Sequence, residues 1–219
     1  MSSHYFAMLS RMKHIIRWGL MRNTTPENLS EHSLETAFIA HALAVIGNRR
    51  LGKSYNADRA ALLAMFHDTT EIITGDLPTP IKYNNPKIKN AYKEIESSAA
   101  DELLSLLPED LRADYREIYH ADDQDSPDRE LSRFVHAADK LSALIKCIEE
   151  RRMGNDEFRT AEQTIRETVD GLHLPEVDIF VAEFLQSFGL TLDEQREAID
   201  RTAHNKTDRR RTEKTQNGR

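Results

Sequence analysis

The sequence has little of several features that define common protein classes. Its single cysteine, Cys147, cannot form an internal disulfide bond, which fits a reducing compartment. No segment approaches the roughly 18 consecutive apolar residues of a transmembrane helix. The N-terminal segment also lacks the long apolar stretch of a signal peptide. We therefore expect a cytoplasmic protein that has no membrane partner.

Positive charge is also in the minority. The chain has 30 Lys and Arg residues against 37 Asp and Glu residues, and its formal net charge is -7. A general nucleic-acid-binding protein usually presents a basic face, so we expect no nucleic-acid partner. The negative charge does not exclude a small anionic substrate, because a bound metal ion supplies local positive charge.

Alternation of apolar and polar residues over the length of a strand is almost absent, and helical periodicity dominates. It is clear in the segments HSLETAFIAHALAVIG, ADRAALLAMFHDTTEIITG, AYKEIESSAADELLSLL, SPDRELSRFVHAADKLSALIKCIEERRMG, FRTAEQTIRETVDGL and PEVDIFVAEFLQSFG. The pattern predicts an all-α fold with about six or seven helices. Ser30 and Ser126 are predicted helix N-caps, and Gly47 and Gly154 are predicted helix ends.

The composition shifts near the C-terminus, where apolar residues become rare. We predict one domain over residues 1–192 and a polar, basic tail over 193–219 that is disordered. The short run Arg209, Arg210 and Arg211 is interpreted as a solvated charge run, with contact to RNA or a partner as the alternative.

The local pattern AMFHDTTE places His67 beside Asp68 at the end of an apolar helical run. Neighbours on a regular helix point about 100° apart, so both side chains can meet one ion only near a terminus or a distortion. Glu71 follows three residues after Asp68, a spacing that predicts the same side of the helix. Alone, the pair is better explained as a capping aspartate beside a packed histidine.

Two distant residues change that balance. His32 follows the predicted cap Ser30 at the start of a helix, and Asp139 lies in the largely apolar segment VHAADKL. A buried carboxylate without a partner is costly, and either a metal ion or a basic side chain removes that cost. The residues alone leave both alternatives open for Asp139.

A histidine, then His-Asp, then a distant aspartate resembles the ligand pattern of the HD-domain phosphohydrolases. Within that superfamily the chain is similar to the bacterial 5'-deoxynucleotidases over roughly residues 4–192. The resemblance is carried by the segments RWGLMR, NLSEHSLETA, ALLAMFHDTTEIITGDLPTPIKY and HAADKLSALIKCIEE. It implies an HD-domain helical bundle and hydrolysis of deoxyribonucleoside 5'-monophosphates.

The resemblance also implies one divalent metal ion with four protein ligands, His32, His67, Asp68 and Asp139. Two imidazoles and two carboxylates suit a borderline or hard cation, so cobalt, manganese, magnesium, iron and zinc stay open. We leave His136 out of the ligand set, although it lies only three residues before Asp139.

The catalytic and substrate-binding residues are implied in the same way. Glu71 and Asp68 are the expected catalytic residues, with Glu71 orienting a water molecule or moving its proton. The expected substrate-binding residues are the phosphate clamp Arg17, the pocket wall Trp18, the reader of the 3'-hydroxyl Asp76, and Thr79.

The sequence departs from the family pattern at Gly19, where we expect proline after Arg-Trp. Glycine there loosens the loop that aims Arg17, which bears on substrate affinity and not on the chemistry. A homodimer is implied by the resemblance alone. Two other functions stay open: another HD-type enzyme, such as a triphosphohydrolase or phosphodiesterase, and a helical regulatory module without catalysis.

Overall fold

A computed structural model describes residues 2–78, 85–197 and 199 of the chain. Across these residues the regular structure is helical, apart from one isolated β-bridge between Ile16 and Asn28. The all-α fold predicted from the periodicity is confirmed for this part of the chain, although it contains more helices than the six or seven predicted, because some of them are only one or two turns long. The predicted tail lies largely outside the described residues, and 192–197 are helical.

The helices are named here in chain order. They are α1 (Tyr5–Leu9), α2 (Leu29–Arg50), α3 (Ala57–Phe66), α4 (Glu71–Thr74), α5 (Pro86–Ser105), α6 (Arg112–Tyr119), α7 (Arg129–Arg152), α8 (Arg159–Asp170) and α9 (Pro175–Glu183). Short 3-10 helices span Ser10–His14, Glu109–Leu111, Asp156–Phe158 and Leu185–Gly189. No described helix combines the length and hydropathy that crossing a bilayer requires.

Helices α2, α3 and α7 pack together around the main hydrophobic core. Leu43, Leu141, Leu144 and Ile145 are fully buried there. Burying one such side chain contributes about 1.5–3 kcal/mol, so these contacts hold the three helices in a fixed relation. The predicted metal ligands lie on these helices or directly after them.

A capping box fixes the first residue of α2. The Asn28 side chain accepts hydrogen bonds from the backbone N–H groups of Ser30 and Glu31, and the Glu31 side chain accepts one from the Asn28 N–H. Such a cap contributes about 1 kcal/mol and places His32 in the first turn of the helix. Ser30 is therefore not the N-cap, and that prediction is wrong by two residues.

Two other predicted boundaries are also wrong. Helix α2 continues past Gly47 to Arg50. Gly47 allows close packing inside the helix instead of ending it, since a Cβ there would lie 2.7 Å from Cε2 of Tyr55. Helix α7 begins at Arg129, since Ser126 closes a preceding turn by accepting a 3.2 Å hydrogen bond from the Asp128 N–H.

The buried face of α2 is more polar than its sequence pattern indicates. Leu34 and Phe38, two apolar residues at helical spacing, are 51% and 67% exposed. His32 and Thr36 are instead fully buried, together with Leu43. The periodicity therefore predicts the helix correctly but does not identify the side that faces the interior.

Candidate metal centre and active site

The helix that carries the His-Asp pair breaks at that pair. Helix α3 ends at Phe66, residues 67–70 form a turn, and α4 begins at Glu71. Thr69 is buried, and both its N–H and its hydroxyl donate to the Phe66 carbonyl, at 3.1 and 2.7 Å. The distortion that the sequence analysis required is thus present, and His67 and Asp68 leave a turn and not a regular helix.

His67 presents an acceptor nitrogen without a hydrogen-bond partner. Its Nδ1 lies 2.7 Å from the Ala64 carbonyl oxygen, which only accepts, so Nδ1 carries the proton in a neutral ring. The buried Nε2 makes no hydrogen bond among the described residues and lies 3.2 Å from Oδ2 of Asp68. A buried lone pair of this kind suits a metal ion.

His32 is oriented by a chain of two hydrogen bonds. The Ser142 hydroxyl donates to Oε2 of Glu35 at 2.6 Å, and the same Ser142 oxygen lies 3.1 Å from Nδ1 of His32. Because the Ser142 hydroxyl proton points to Glu35, the Ser142 oxygen accepts a hydrogen bond from the Nδ1–H group of His32. A neutral His32 therefore also presents its Nε2 lone pair, and such partners of a ligand histidine fix its ring.

The carboxylates of Asp68 and Asp139 meet these histidines. Nε2 of His32 lies 3.4 Å from Oδ2 of Asp68 and 3.3 Å from Oδ1 of Asp139. Ligand atoms of His32, His67 and Asp68 all lie within 4.8 Å of one another. Asp139 adjoins this group from α7, with its Oδ2 accepting a 2.7 Å hydrogen bond from Lys140.

Ionisation in this group is strongly coupled. Burial disfavours the charged His32, but hydrogen bonds to Asp139 and Asp68 outweigh it and raise the pKa of His32 to about 9. Burial likewise disfavours ionised Asp68, yet the adjoining imidazoles of His67 and His32 hold the pKa of Asp68 well below its ordinary value. Burial also disfavours ionised Asp139, but the hydrogen bond from His32 and the charge of Lys140 lower the pKa of Asp139. Both carboxylates are therefore charged at neutral pH, as metal binding requires.

Arg17 lies against the same carboxylates. Its Nη1 lies 3.2 Å from Oδ2 of Asp68 and its Nη2 lies 4.0 Å from Oδ1 of Asp139. Its Nε lies 3.4 Å from Oε2 of Glu27, and the Arg17 side chain is 11% exposed. The predicted phosphate clamp therefore adjoins the predicted metal ligands.

Trp18, the next residue, has a backbone conformation that residues other than glycine rarely adopt. Its φ is 60°, in the left-handed region, which costs a non-glycine residue roughly 1–3 kcal/mol. The indole Nε1 donates a 2.9 Å hydrogen bond to Oε2 of Glu27, and the ring lies 5.4 Å from the Phe158 ring. Asp76 accepts a hydrogen bond from the Trp18 backbone N–H, and burial raises the pKa of Asp76.

The other predicted residues have less defined places. Glu71 is 6% exposed and begins α4, with its N–H donating to the Asp68 carbonyl at 3.0 Å. Helix α3 ends before His67 and α4 begins at Glu71, so the predicted sharing of one helix side by His67, Asp68 and Glu71 stays a prediction. Thr79 lies outside the described residues. His136 lies at the surface, 3.3 Å from Asp122 and away from the ligand group.

The sequence analysis missed three polar residues of this site, Glu27, Glu35 and Ser142. Glu35 and Ser142 lie three residues after His32 and Asp139 respectively, so helical spacing from a known ligand finds both. Glu27 precedes α2 in a loop, and its sequence neighbourhood gives no comparable signal.

The donor set fits a divalent cation. Two imidazoles, each a ligand once its ring is neutral, and two ionised carboxylates form the mixed nitrogen and oxygen environment that such ions accept. A metal ion would satisfy the buried Nε2 of His67, which makes no hydrogen bond among the described residues, and its charge would offset the repulsion between Asp68 and Asp139. The basic alternative is also partly realised, because Arg17 and Lys140 contact these carboxylates.

Comparison of the fold with solved structures finds similar helical proteins. An HD-domain phosphohydrolase from Listeria innocua matches with a TM-score of 0.72 and 22% sequence identity, over 94% of this chain and 98% of the other. A protein from Pyrococcus horikoshii matches with a TM-score of 0.63 and 21% identity, over 85% of this chain and 97% of the other. These similarities confirm the predicted HD-domain fold.

Sequence comparison is more specific. The model of the YfbR-like 5'-deoxynucleotidases matches residues 4–188. A 5'-deoxynucleotidase of Photorhabdus temperata is 52% identical over 192 residues, which cover 88% of this chain and 96% of that relative. A 5'-deoxynucleotidase of Yersinia pestis is 51% identical over 196 residues, with the same coverage. The resemblance and the hydrolase class expected from the sequence are confirmed: the chain belongs to the YfbR-like 5'-deoxynucleotidase family.

Proposed function

We propose that this enzyme hydrolyses deoxyribonucleoside 5'-monophosphates to deoxyribonucleosides and phosphate, with one divalent ion held by His32, His67, Asp68 and Asp139. The observation that carries the proposal is the position of Arg17, whose guanidinium lies 3.2 Å from Asp68 at the edge of the ligand group. A phosphate bound there would lie beside a planar cationic fork and next to the residues that would hold the ion.

A divalent ion held by these residues would supply Lewis acidity at the phosphoryl group and would lower the pKa of a water molecule. The remaining work is positioning and charge compensation, which dominate phosphoryl transfer. Arg17 holds the phosphate oxygens through two N–H groups, and Glu27 limits the rotation of its guanidinium, since it lies 3.4 Å from Nε.

Glu71 is the proposed proton-transfer group. It starts α4 directly after the turn that carries His67 and Asp68, and it is 6% exposed. In this role its carboxylate accepts the proton of the attacking water and returns a proton to the leaving deoxyribose oxygen. Asp68 shares the orientation of the water as a metal ligand.

Sugar selection is assigned to the segment around Asp76. Asp76 contacts the Trp18 backbone, which places it beside the loop that carries the phosphate clamp. We propose that Asp76 accepts a hydrogen bond from the 3'-hydroxyl group and that Trp18 forms the pocket wall. Thr79 is proposed as a further contact with the substrate. A 2'-hydroxyl buried there without a partner costs about 1–3 kcal/mol, which gives roughly ten- to a hundredfold preference for deoxyribose.

The ion is cobalt, manganese, magnesium, iron or zinc in this proposal, because the mixed donor set accepts each of them. We further propose that the enzyme works in the cytoplasm and forms a homodimer, without nucleic-acid or membrane partners. Size-exclusion chromatography with light scattering tests the dimer.

A nucleotide panel tests the proposed function. The purified enzyme is assayed with each of these ions on dAMP, AMP, a deoxynucleoside 3'-monophosphate, dATP and a cyclic nucleotide. We expect phosphate release from dAMP, much slower release from AMP, and none from the 3'-monophosphate. Release of triphosphate from dATP, or of a linear nucleotide from the cyclic substrate, would support another HD-type activity. Absence of any metal-stimulated turnover would support a regulatory module.

A further inference from the structure

The loop of residues 15–28, which carries Arg17 and Trp18, is fastened at several places, and two of these fix its backbone near Arg17 and near Thr25. Near its ends, the Arg17 N–H donates to the Glu27 carbonyl at 3.0 Å, and the Leu29 N–H donates to the Ile15 carbonyl at 2.9 Å. The second attachment lies at the far side of the loop, on Thr24 and Thr25. It is made by helix α7 and is separate from the metal group.

Glu150, near the end of α7, holds that second place. It is fully buried, and its carboxylate accepts the backbone N–H groups of Thr24 at 2.8 Å and Thr25 at 3.0 Å. The Asn155 side chain donates to the same carboxylate at 2.8 Å. Burial disfavours its charge, but these bonds and the one from Lys146 lower the pKa of Glu150 to about 2.

Lys146 completes the attachment. Its ammonium lies 2.5 Å from Oε1 of Glu150 and also donates to the Thr25 carbonyl, so both backbone polar groups of Thr25 are bonded. It lies 5.7 Å from the centroid of the buried Phe158 ring, the ring that packs beside Trp18. The pair therefore supports the loop through its backbone and through the wall behind Trp18.

A buried ion pair of this type is often no more stabilising than an apolar pair of the same shape. Its distinctive property is the directionality of its hydrogen bonds, which hold the N–H groups of Thr24 and Thr25 and the carbonyl of Thr25 at defined positions. Two residues beyond Thr25, Glu27 accepts the Trp18 indole N–H and lies 3.4 Å from Arg17.

We propose that the buried Lys146–Glu150 pair is a positioning device that sets the placement of Arg17 and Trp18, and hence the affinity of the site for the phosphate and sugar of a nucleotide. The affinity part rests on the proposed function. The placement part does not, and the sole tryptophan of the chain reports it directly.

The test compares wild-type protein with Lys146→Met/Glu150→Gln. Both substitutions keep the side-chain volumes nearly unchanged. Glu150→Gln places an amide NH2 where a carboxylate oxygen accepts a backbone N–H, and Lys146→Met removes the hydrogen bond to the Thr25 carbonyl. We expect KM for dAMP to rise about tenfold with little change in kcat and in metal affinity. Acrylamide should quench Trp18 fluorescence more strongly than in the wild-type protein.

The matched control is Arg59→Met/Asp128→Asn, which removes a partly buried ion pair between α3 and the residue that precedes α7. It should lower thermal stability without changing KM or quenching. Lys146→Met alone keeps the carboxylate bonds to Thr24 and Thr25, so it serves if the double variant does not fold and should shift both readouts less.

Wild-type KM and quenching in folded variants would overturn the proposal, as would equal changes in the control. If the wild-type enzyme does not hydrolyse deoxynucleotides, the proposed function fails. The quenching comparison then still decides whether the pair positions Trp18.

Discussion

Nη1 of Arg17 lies 3.2 Å from Oδ2 of Asp68, so the proposed phosphate clamp is in direct contact with a proposed metal ligand. The two residues are 51 positions apart in the chain. Arg17 stands in the loop before α2 and Asp68 in the turn after α3. The substrate and the ion are therefore expected to meet between these two segments.

Replacement of Arg17 by lysine should raise KM for dAMP by about tenfold, because lysine keeps the charge and loses the two-pronged contact with phosphate. Steady-state kinetics on phosphate release measure it. The control is Arg22→Lys in the same loop, whose side chain is 92% exposed and pairs with Glu157. Equal effects of both substitutions would mean that Arg17 has no special contact with the substrate.

Removal of the Ser142 hydroxyl should weaken metal binding about ten- to a hundredfold, because Ser142 and Glu35 fix the His32 ring. Titration of metal-free Ser142→Ala with Mn²⁺ or Co²⁺ measures the change. Ser132→Ala is the control, since Ser132 is also buried on α7 but donates to the Ala121 carbonyl. Unchanged metal affinity in Ser142→Ala would contradict the assigned orientation of His32.

Metal affinity should rise with pH. The pKa of His32 is raised to about 9, and a metal ion binds only the neutral ring, so protons compete with the ion below that pH. Each unit below about pH 9 should weaken binding by up to about tenfold. The metal-free fold should behave oppositely, losing stability as pH rises from about 6.5 toward 9. Calorimetric titrations and thermal melts across this range test both, and a flat metal affinity would contradict the assignment.

Gly19→Ala should stabilise the protein by about 0.4–1 kcal/mol and leave KM equal or lower. Gly19 is not in the left-handed region, and nothing lies within 4 Å of a Cβ built there. Thermal unfolding and kinetics on dAMP measure both effects. Gly47→Ala provides the contrast and should destabilise, because its Cβ would lie 2.7 Å from the Tyr55 ring. A destabilised Gly19→Ala would show that this loop needs the freedom of glycine.

Local patterns predicted much of this molecule. Periodicity predicted the long helices but not α6, and the single helical pattern over residues 57–75 is divided at His67 and Asp68. The geometry of adjacent residues had made such a break the condition for both side chains to meet one ion. The same patterns did not identify the inner face of α2, where His32 and Thr36 are buried while Phe38 is 67% exposed. Apolar spacing alone does not show which polar residues the other helices enclose.

Contacts between distant segments could not be predicted from local sequence patterns either. Glu35 meets Ser142 across 107 positions, and Glu150 meets Thr24 across 126. Neither pair has a local pattern, because each depends on how α2, α7 and the loop of residues 15–28 come together. These contacts lie around the proposed ligands and the proposed substrate loop, whereas the reacting groups were predicted from the resemblance to a family.

The most direct test of the account is phosphate release from dAMP by metal-stripped enzyme as a divalent ion is added back. The account predicts no turnover without the ion, restored turnover with it, and no restoration in Asp68→Ala, while the folded control Ser132→Ala recovers. Equal turnover by the stripped and reloaded enzyme, or an active Asp68→Ala, would contradict the proposed metal centre.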